Sequence, residues 1–325
     1  MVKKKTLRVF EGFAGYGGAS FGLNKANIPH KVIGYSDIDQ EAIELYEYNF
    51  PGIKNYGDIT KIDEKSLPDF DLFTGGFPCQ PFSTVGKMLG ELDTRGTLFN
   101  DIIRICEHKK PQFILLENVK GLLGKKHRPT FDKIISELNR IGYKNVQYAV
   151  LNSKDYGVPQ NRERLWIFGQ LGGLPDDFVL EPPCVELKYR IKDFLDKNPA
   201  SELYRTQSQI NRIHEIRNAP VFDVTEPLCY DYYNNKIRTD GICMTVTPPE
   251  HNIMRIVEPM VDGQERLRKL SIDEHFRLMG FVLDEENREI KFPPTLNYTK
   301  LGRRAGNGWD VNLVSILFRH IFNQL

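Results

Sequence analysis

The sequence predicts an α/β fold, a mainly parallel sheet covered by helices on both faces, followed by a second, smaller and mostly β domain. Three observations predict it. Short apolar runs alternate with helical segments up to about residue 170, the pattern of βαβ units. The texture then changes, with Gly172-Gly173, Pro175, Pro182-Pro183 and Pro199 punctuating short β-like pieces. Finally, 325 residues (37.5 kDa), 40% hydrophobic and 27% charged, are long for one domain and comfortable for two. The same composition excludes disorder, a fibrous repeat and a disulfide-stapled miniature.

Taken in order, residues 6–10 read as a strand, 11–18 as a glycine-rich turn and 19–26 as a helix. Residues 32–35 read as a second strand and 40–49 as a helix, with Ala42, Leu45 and Tyr46 at helical spacing. Residues 70–74 and 113–116 are two more strands, separated by a helix over 98–108 whose Ile102, Ile105 and Cys106 share one face. A helix over 130–141 and strands over 146–151 and 165–168 continue the alternation. Beyond 170, residues 221–224, 242–246 and 254–257 look β-like. The end returns to helix, where Val311, Val314, Leu317-Phe318 and Ile321-Phe322 keep helical spacing and Asp310 is placed to cap. That helix needs a partner, and the flank of the first sheet is the expected one.

Five cysteines without a Cys-x-x-Cys pair argue against disulfide and zinc frameworks and for a reducing compartment. The seven histidines are scattered, so no metal is expected. No apolar run approaches the ~18 residues of a membrane span. The basic start Met1-Val2-Lys3-Lys4-Lys5 leads into no cleavage-site pattern, so the expected location is cytoplasmic. A net charge of +1 hides an asymmetry: residues 31–71 carry four Lys/Arg against ten Asp/Glu, and 100–130 carry seven against three. The second stretch, dense at Lys109-Lys110 and Lys125-Lys126-His127-Arg128, suits a phosphate backbone; a solvated charged face is the plainer reading.

Two local patterns carry chemistry. Phe13-Ala14-Gly15-Tyr16-Gly17-Gly18 follows a strand and opens a helix, where glycines let backbone N–H groups approach a ligand. Asp37, about twenty residues on, is placed to accept hydrogen bonds from ribose hydroxyls, which points to a nucleoside-containing cofactor. The spacing Gly15-x-Gly17-x-x-Ser20 lacks the third glycine of the dinucleotide fingerprint, so NAD is disfavoured. The other pattern is Gly75-Gly76-Phe77-Pro78-Cys79-Gln80-Pro81-Phe82-Ser83, a rigid loop at the carboxyl end of a strand. A cysteine fixed there is a candidate nucleophile; the alternative is a buried small hydrophobe, the reading preferred for Cys106.

With these residues in view, the chain resembles the DNA (cytosine-5)-methyltransferase family of bacterial and phage restriction–modification type over nearly its whole length. Phe13-Ala14-Gly15-x-Gly17-Gly18 resembles the family's S-adenosylmethionine loop, and Gly76-Phe77-Pro78-Cys79-Gln80 its nucleophile loop. Glu117-Asn118-Val119 resembles its acid motif and Gln160-x-Arg162-x-Arg164 its paired-arginine strand. Arg268-x-Leu270-Ser271-x-x-Glu274 with Arg277-Leu278-Met279-Gly280-Phe281 resembles the motif that supports the variable domain, and Gly306-Asn307 the last motif. Two departures stand out. Glu11 and Asp37 exchange the family's usual Asp and Glu, and the last motif runs on as Gly308-Trp309 rather than Ser-Val.

The resemblance implies a Rossmann-like S-adenosylmethionine-dependent methyltransferase sheet over 1–180, completed by 296–325, and a target-recognition domain over 181–295. It implies methyl transfer from S-adenosyl-L-methionine to carbon 5 of a flipped cytosine in a short double-stranded DNA sequence. Cys79 would add to carbon 6, and Glu117, with a raised pKa, would assist at ring N3. Arg162 and Arg164, two apart on a strand and so on one side, would hold the cytosine O2 and the nucleophile loop. Phe13, Ala14, Gly15, Gly17, Gly18, Asp37, Ile38, Asp58, Ile59, Pro78, Leu98, Asn307 and Gly308 would hold the cofactor. The loop 85–95 would close over the base, and the basic stretch 109–128 would grip the backbone. Base readout falls to about 181–264, where Thr245-Val246 resembles a family dipeptide. There Tyr230, Tyr232, Tyr233, Asn234, Asn235, Lys236 and Arg238 suit base edges and phosphates, or form an exposed hairpin.

A monomer, with a cognate restriction endonuclease encoded elsewhere, completes the expectation. A tRNA cytosine-5 methyltransferase of the same fold is the nearest alternative, but its usual Pro-Pro-Cys loop is replaced here by Phe77-Pro78-Cys79. An NAD-dependent oxidoreductase would leave Cys79, Glu117 and the arginines idle. A non-catalytic DNA-binding module is the remaining alternative, though nothing in the nucleophile loop is degraded.

Overall fold

The computed structural model describes residues 6–78, 97–249 and 254–325. Two compact units emerge: one formed by residues 1–151, 163–183 and 314–325, the other by 152–162 and 184–313.

The first unit opens with β1 (Leu7–Gly12), α1 (Gly18–Lys25), β2 (His30–Ser36) and α2 (Gln40–Asn49). It continues through β3 (Leu72–Gly76), α3 (Thr97–Lys109), β4 (Phe113–Val119), α4 (Arg128–Arg140) and β5 (Gln147–Asn152). The short β6 (Gln160–Asn161) belongs to the second unit, and β7 (Glu163–Gln170) returns to the first. The sheet order is β2-β1-β3-β4-β7-β5. The pairs β1–β2, β1–β3 and β3–β4 are parallel, as the βαβ alternation predicts. Strand β7 runs antiparallel to β4, with Phe113 level with Gln170 and Val119 with Arg164.

The strand centres are apolar throughout because both faces are covered. Phe10, Phe73, Ile114, Leu116, Leu165 and Ile167 lie in one core with Ile102, Ile105 and Cys106 of α3. Cys106 is therefore a packing residue, as the helix spacing predicts, and burial pushes its thiol well up.

The second unit contains α5 (Gln207–Arg217), β8 (Leu228–Asp231), β9 (Lys236–Arg238), β10 (Cys243–Met244), β11 (Met254–Val261) and β12 (Gln264–Arg268). It ends in α6 (Ile272–Arg277) and α7 (Tyr298–Asn307) before α8 (Val311–Gln324). Strands β12-β11-β8-β9 form an antiparallel sheet, and Ile210, Phe222, Tyr230, Val257 and Leu267 make its core. Behind it, Arg268 is fully buried and bidentate to Glu274 (2.7 and 2.8 Å). The Arg-x-Leu-Ser-x-x-Glu spacing thus brings one ion pair into the unit's interior.

Three expectations need correction. Residues 221–224 form no strand, and 242–246 shorten to Cys243–Met244, which pairs with β6 instead of joining the antiparallel sheet. Residues 152–162 and 296–313, expected with the first unit, pack with the second. Helices α5 and α7 escaped the sequence reading because their apolar stripes are narrow: only Ile210 is buried on α5. The last helix does follow expectation. Asp310 Oδ1 accepts the N–H groups of Asn312 (2.9 Å) and Leu313 (3.0 Å). Along α8, Phe322 meets the ring of Phe113 edge-on at 5.4 Å, on the flank of the first sheet.

Candidate active site

The glycine-rich loop leaves β1 and turns back at once. Phe13, Gly15 and Gly17 all have positive φ (54°, 58° and 89°), and the Gly17 N–H donates to Ala14 O at 2.9 Å. Gly17 must be glycine, since an added Cβ would lie 2.7 Å from the Phe50 ring. Over Gly15 the space is open: an added Cβ there would meet no atom within 4 Å. The loop is fixed from the end of β2, where Asp37 Oδ2 accepts the Gly15 N–H (2.8 Å) and Oδ1 that of Asp39 (2.9 Å). Burial pushes the Asp37 carboxyl above its ordinary value, and those two N–H donors oppose the shift. Each oxygen keeps a lone pair for a ligand hydroxyl. Beside it, Ile38 is 69% exposed, an apolar side chain facing outward at the carboxyl end of a strand.

Beneath the loop lies Glu11, 1% exposed, which accepts from Ser20 Oγ and from Tyr46 Oη (3.0 Å). Burial raises its pKa to about 7. Tyr46 in turn stacks on Tyr35 with ring centroids 4.0 Å apart. The extra methylene of Glu relative to Asp lets the carboxylate bridge α1 and α2.

Asn55, which the sequence reading missed, splints this region. Its Oδ1 accepts from the Gly57 N–H (2.8 Å) and Asp37 N–H (3.3 Å), and its Nδ2 donates to Asp37 O (3.2 Å). Asp58 caps the following turn, accepting from Thr60 N–H (3.0 Å) and Oγ1 (2.8 Å), which hold its carboxyl below the usual range. The Ile59 side chain belongs to the core at 3% exposure, and its carbonyl accepts from Arg104 (3.0 Å). Leu98 lies half-buried against the main core at the start of α3, and Pro78 is exposed just past β3.

At the next strand ends, Gly76 of β3 is level with Glu117 of β4. Glu117 Oε1 lies 3.0 Å from Arg164 Nε on β7, and the two side chains are 13% and 19% exposed. The neighbouring Asn118 turns inward and donates from Nδ2 to Phe77 O at 3.0 Å. The chain is thereby tied two residues before Cys79. Cys79 itself and the loop 85–95 lie outside the described residues. Past β4, Lys125 and Lys126 are exposed; Lys120 pairs with Glu163 (2.8 Å) and Arg128 with Asp132 (2.9 Å).

The paired arginines part company. Residue 162 falls between β6 and β7, so Arg162 and Arg164 do not share a strand face. Arg162 is 2% exposed in the second unit, with Nη1 on Val246 O (3.0 Å) and Nη2 on Gly306 O (3.2 Å) and Gly308 O (2.7 Å). Gln160 Oε1 accepts the Val246 N–H (2.8 Å), and Thr245 Oγ1 donates to Asn161 O (2.7 Å). The Gln-x-Arg, Thr-Val and Gly-Asn segments are one hydrogen-bonded node. Asn307 ends α7 exposed, with Gly308 as its cap.

A family model for C-5 cytosine-specific DNA methylases matches residues 7–323. The chain belongs to this family. Among curated relatives, the type II methyltransferase M1.ScrFI of Lactococcus lactis subsp. cremoris is 46% identical over 313 residues, 92% of this chain and 75% of that protein. M2.ScrFI of the same organism is 30% identical over 375 residues, 98% of this chain and 99% of that protein. In fold, the Dnmt2 methyltransferase of S. pombe superposes with a TM-score of 0.76 at 24% identity, covering 98% of each chain. The protein is thus a DNA cytosine-5 methyltransferase of restriction–modification type, and its α/β sheet with a smaller antiparallel unit is the methyltransferase fold expected from sequence. Among the described residues no helix is long and apolar enough to cross a membrane.

Proposed function

We propose that this methyltransferase uses S-adenosyl-L-methionine to methylate carbon 5 of a cytosine flipped out of one short double-stranded DNA sequence, with Cys79 as nucleophile. The observation that carries the reading is the Glu117–Arg164 pair beside the tethered Phe77 carbonyl. It supports an acid and a cation at the mouth of the strand ends, next to the segment that bears Cys79.

The residues fit the cofactor. Open space over Gly15, a carboxylate with spare lone pairs at Asp37 and an exposed apolar Ile38 suit a loop-bound methionine portion, a ribose and an adenine. When bound, S-adenosylmethionine supplies an electrophilic methyl group. Phe13, Ala14, Gly17 and Gly18 shape the loop; Asp58 with Ile59 in the turn after α2, Pro78 just past β3 and Leu98 at the start of α3 are assigned to the cofactor by the resemblance. On the second unit, exposed Asn307 with Gly308 is assigned to the cofactor by the resemblance.

Carbon 5 of neutral cytosine is a poor nucleophile. Addition of the Cys79 thiolate to carbon 6 makes an enamine that is electron-rich at carbon 5. Glu117 hydrogen-bonds the ring at N3 and offsets the charge that develops there, an effect typically worth ~10²–10⁴ in rate. Arg164 orients Glu117 and reaches toward the cytosine O2. Once carbon 5 carries the methyl group, its proton passes to water, the carbon 6–sulfur bond breaks to return the Cys79 thiolate, and the restored carbon 5–carbon 6 double bond gives 5-methylcytosine. Arg162, its Nη atoms held by carbonyls, acts by holding the node that carries Thr245, Val246 and Gly308. Exposed Lys125 and Lys126 suit the DNA backbone.

The residues before 170 are assigned to chemistry and about 181–264 to base readout, in a monomer working in the cytoplasm of a prokaryotic cell beside a cognate endonuclease. In the hairpin β8–β9, Tyr230 is buried in the core and Tyr233 is 75% exposed, which narrows the readers to the tip. Duplex DNA carrying 5-fluorocytosine tests the mechanism. Because fluorine blocks the final elimination, a covalent protein–DNA adduct should form and should be absent with Cys79→Ala. Equal adduct with both proteins would refute the assignment.

A further inference from the structure

Strand β2 is the edge of its sheet, paired with β1 on one side. Along a parallel strand, alternate residues send their N–H and C=O groups to the same side. Tyr35 sends its pair outward: its N–H donates to Lys54 O (3.0 Å) and its carbonyl accepts the Tyr56 N–H (2.8 Å). The segment 54–56 therefore lines the open edge of β2, with Asn55 bridged to Tyr35. Asp37, two residues on, directs its own N–H and C=O to that same side. There the neighbouring backbone has turned away: Gly57 takes a positive φ of 71°, and its carbonyl is held by Ser36 Oγ (2.6 Å).

The Asn55 side chain takes the place of that backbone. Its Nδ2 donates to Asp37 O (3.2 Å), and its Oδ1 accepts the Asp37 N–H (3.3 Å). The same Oδ1 accepts the Gly57 N–H (2.8 Å), which fixes the amide in its plane. One carboxamide thus prolongs the pairing of β2 by a residue past its end at Ser36. The place calls for a donor and an acceptor on one short planar group, which among side chains describes asparagine. Two separate devices therefore hold Asp37. The Gly15 and Asp39 N–H groups set its carboxylate (2.8 and 2.9 Å), and Asn55 sets the backbone from which that carboxylate springs.

We propose that Asn55 is a positioning residue for the nucleoside half of the cofactor, holding Asp37 so that its carboxylate is preset for the ribose hydroxyls. The inference rests on the reading of S-adenosylmethionine as cofactor. Asn55 acts through Asp37, and presetting an acceptor strengthens binding by removing the cost of ordering it when the ligand arrives. The nucleoside is common to S-adenosylmethionine and to the product S-adenosylhomocysteine, so both gain equally. An interaction shared by substrate and product in this way sets affinity and leaves the methyl-transfer step alone.

The experiment is calorimetry of S-adenosylmethionine and S-adenosylhomocysteine binding to the full chain, without DNA. Wild type is compared with Asn55→Ala, Asp37→Ala and the double variant. Asn55→Ala should weaken both ligands by one common factor of roughly three- to tenfold, the effect of about one hydrogen bond. In methyl-transfer assays the loss should appear in KM for S-adenosylmethionine, with kcat within about twofold of wild type. In the Asp37→Ala background, Asn55→Ala should cost nothing more, because its route to the ligand is already gone. Additive losses in the double variant, or a fall in kcat with unchanged affinity, would overturn the proposal. Should Asn55→Ala melt well below wild type, Asn55→Asp serves instead, since it keeps both acceptor bonds and loses only the donation to Asp37 O. It should weaken both ligands too, and wild-type affinity in that variant would also overturn the proposal. A wild type that binds neither ligand would instead overturn the cofactor reading itself.

Discussion

Arg164 on β7 and Glu117 on β4 meet across an antiparallel step, Nε 3.0 Å from Oε1, beside the parallel pairs β1–β2, β1–β3 and β3–β4. The reversal of β7 brings an early residue of that strand to the carboxyl end of β4. A parallel β7 would have presented its last residues there instead. The antiparallel strand thus joins a cation to the acid at the end where open α/β sheets carry their ligands.

Glu117→Gln should lower kcat by ~10²–10⁴ while leaving the affinity for DNA within a few-fold, measured by transfer of labelled methyl groups. Arg164→Ala should also lower kcat, because the carboxylate loses the group that orients it. An Arg164→Ala enzyme with wild-type kcat would remove Arg164 from the account.

Asp37→Ala should weaken S-adenosylmethionine binding by more than Asp37→Asn does. The alanine removes both the ribose acceptor and the tie to the Gly15 N–H, whereas asparagine keeps one oxygen. Hydrogen bonds to a charged group typically contribute ~1.5–3 kcal/mol, which calorimetry resolves readily. Identical losses in the two variants would contradict the role of the loop tie.

Glu11 predicts a pH dependence of stability. Its folded pKa of about 7 lies above the ordinary carboxylate value of 4.5 because of burial. The folded state therefore keeps a proton that the unfolded state loses, and the resulting stabilisation is full below 4.5 and is lost as pH rises through about 7. Glu11→Gln, which cannot ionise and keeps an acceptor for Ser20 and Tyr46, should gain on wild type by on the order of 3 kcal/mol between pH 4 and pH 8. Urea unfolding at the two pH values measures the difference. A constant difference would show that Glu11 titrates normally.

Gly306→Ala should destabilise the second unit. An added Cβ would lie 2.3 Å from Pro248 N and 2.5 Å from Thr247 C, backbone atoms that have no rotamer by which to retreat. Overpacking of this kind costs about 1–3 kcal/mol, visible as a lowered melting temperature. An unchanged melting temperature would mean that the 247–248 segment yields freely.

Strands β1 to β4 and helices α2 and α3 were legible because apolar runs and helical spacing alternate there without interruption. Asp37, Glu117 and the glycine loop were legible for a related reason: each lies at a strand end, and strand ends can be read from where an apolar run stops. Arg162 was misjudged because spacing by two implies a shared face only inside a continuous strand, and the chain breaks between Asn161 and Glu163. Asn55 and Asn118 act through side-chain bonds to the backbone at Asp37, Gly57 and Phe77, partners set by tertiary structure. Residues 296–313 read as part of the first unit because the helix after them belongs there. What draws them to the second is the packing of Gly306 on residues 247–248 and the Arg162 node, neither of which has a periodicity.

The central claim is that Cys79 serves a cytosine-5 methyltransferase whose second unit selects one DNA motif. Expressing the protein in a methylation-deficient bacterium and bisulfite-sequencing the genome tests it most directly. The account predicts 5-methylcytosine concentrated in a single short motif, with a few near-matches because each wrong base pair typically costs ~1–3 kcal/mol, and none with Cys79→Ala. Methylation scattered without a motif, or a genome without 5-methylcytosine alongside methylated tRNA, would contradict it.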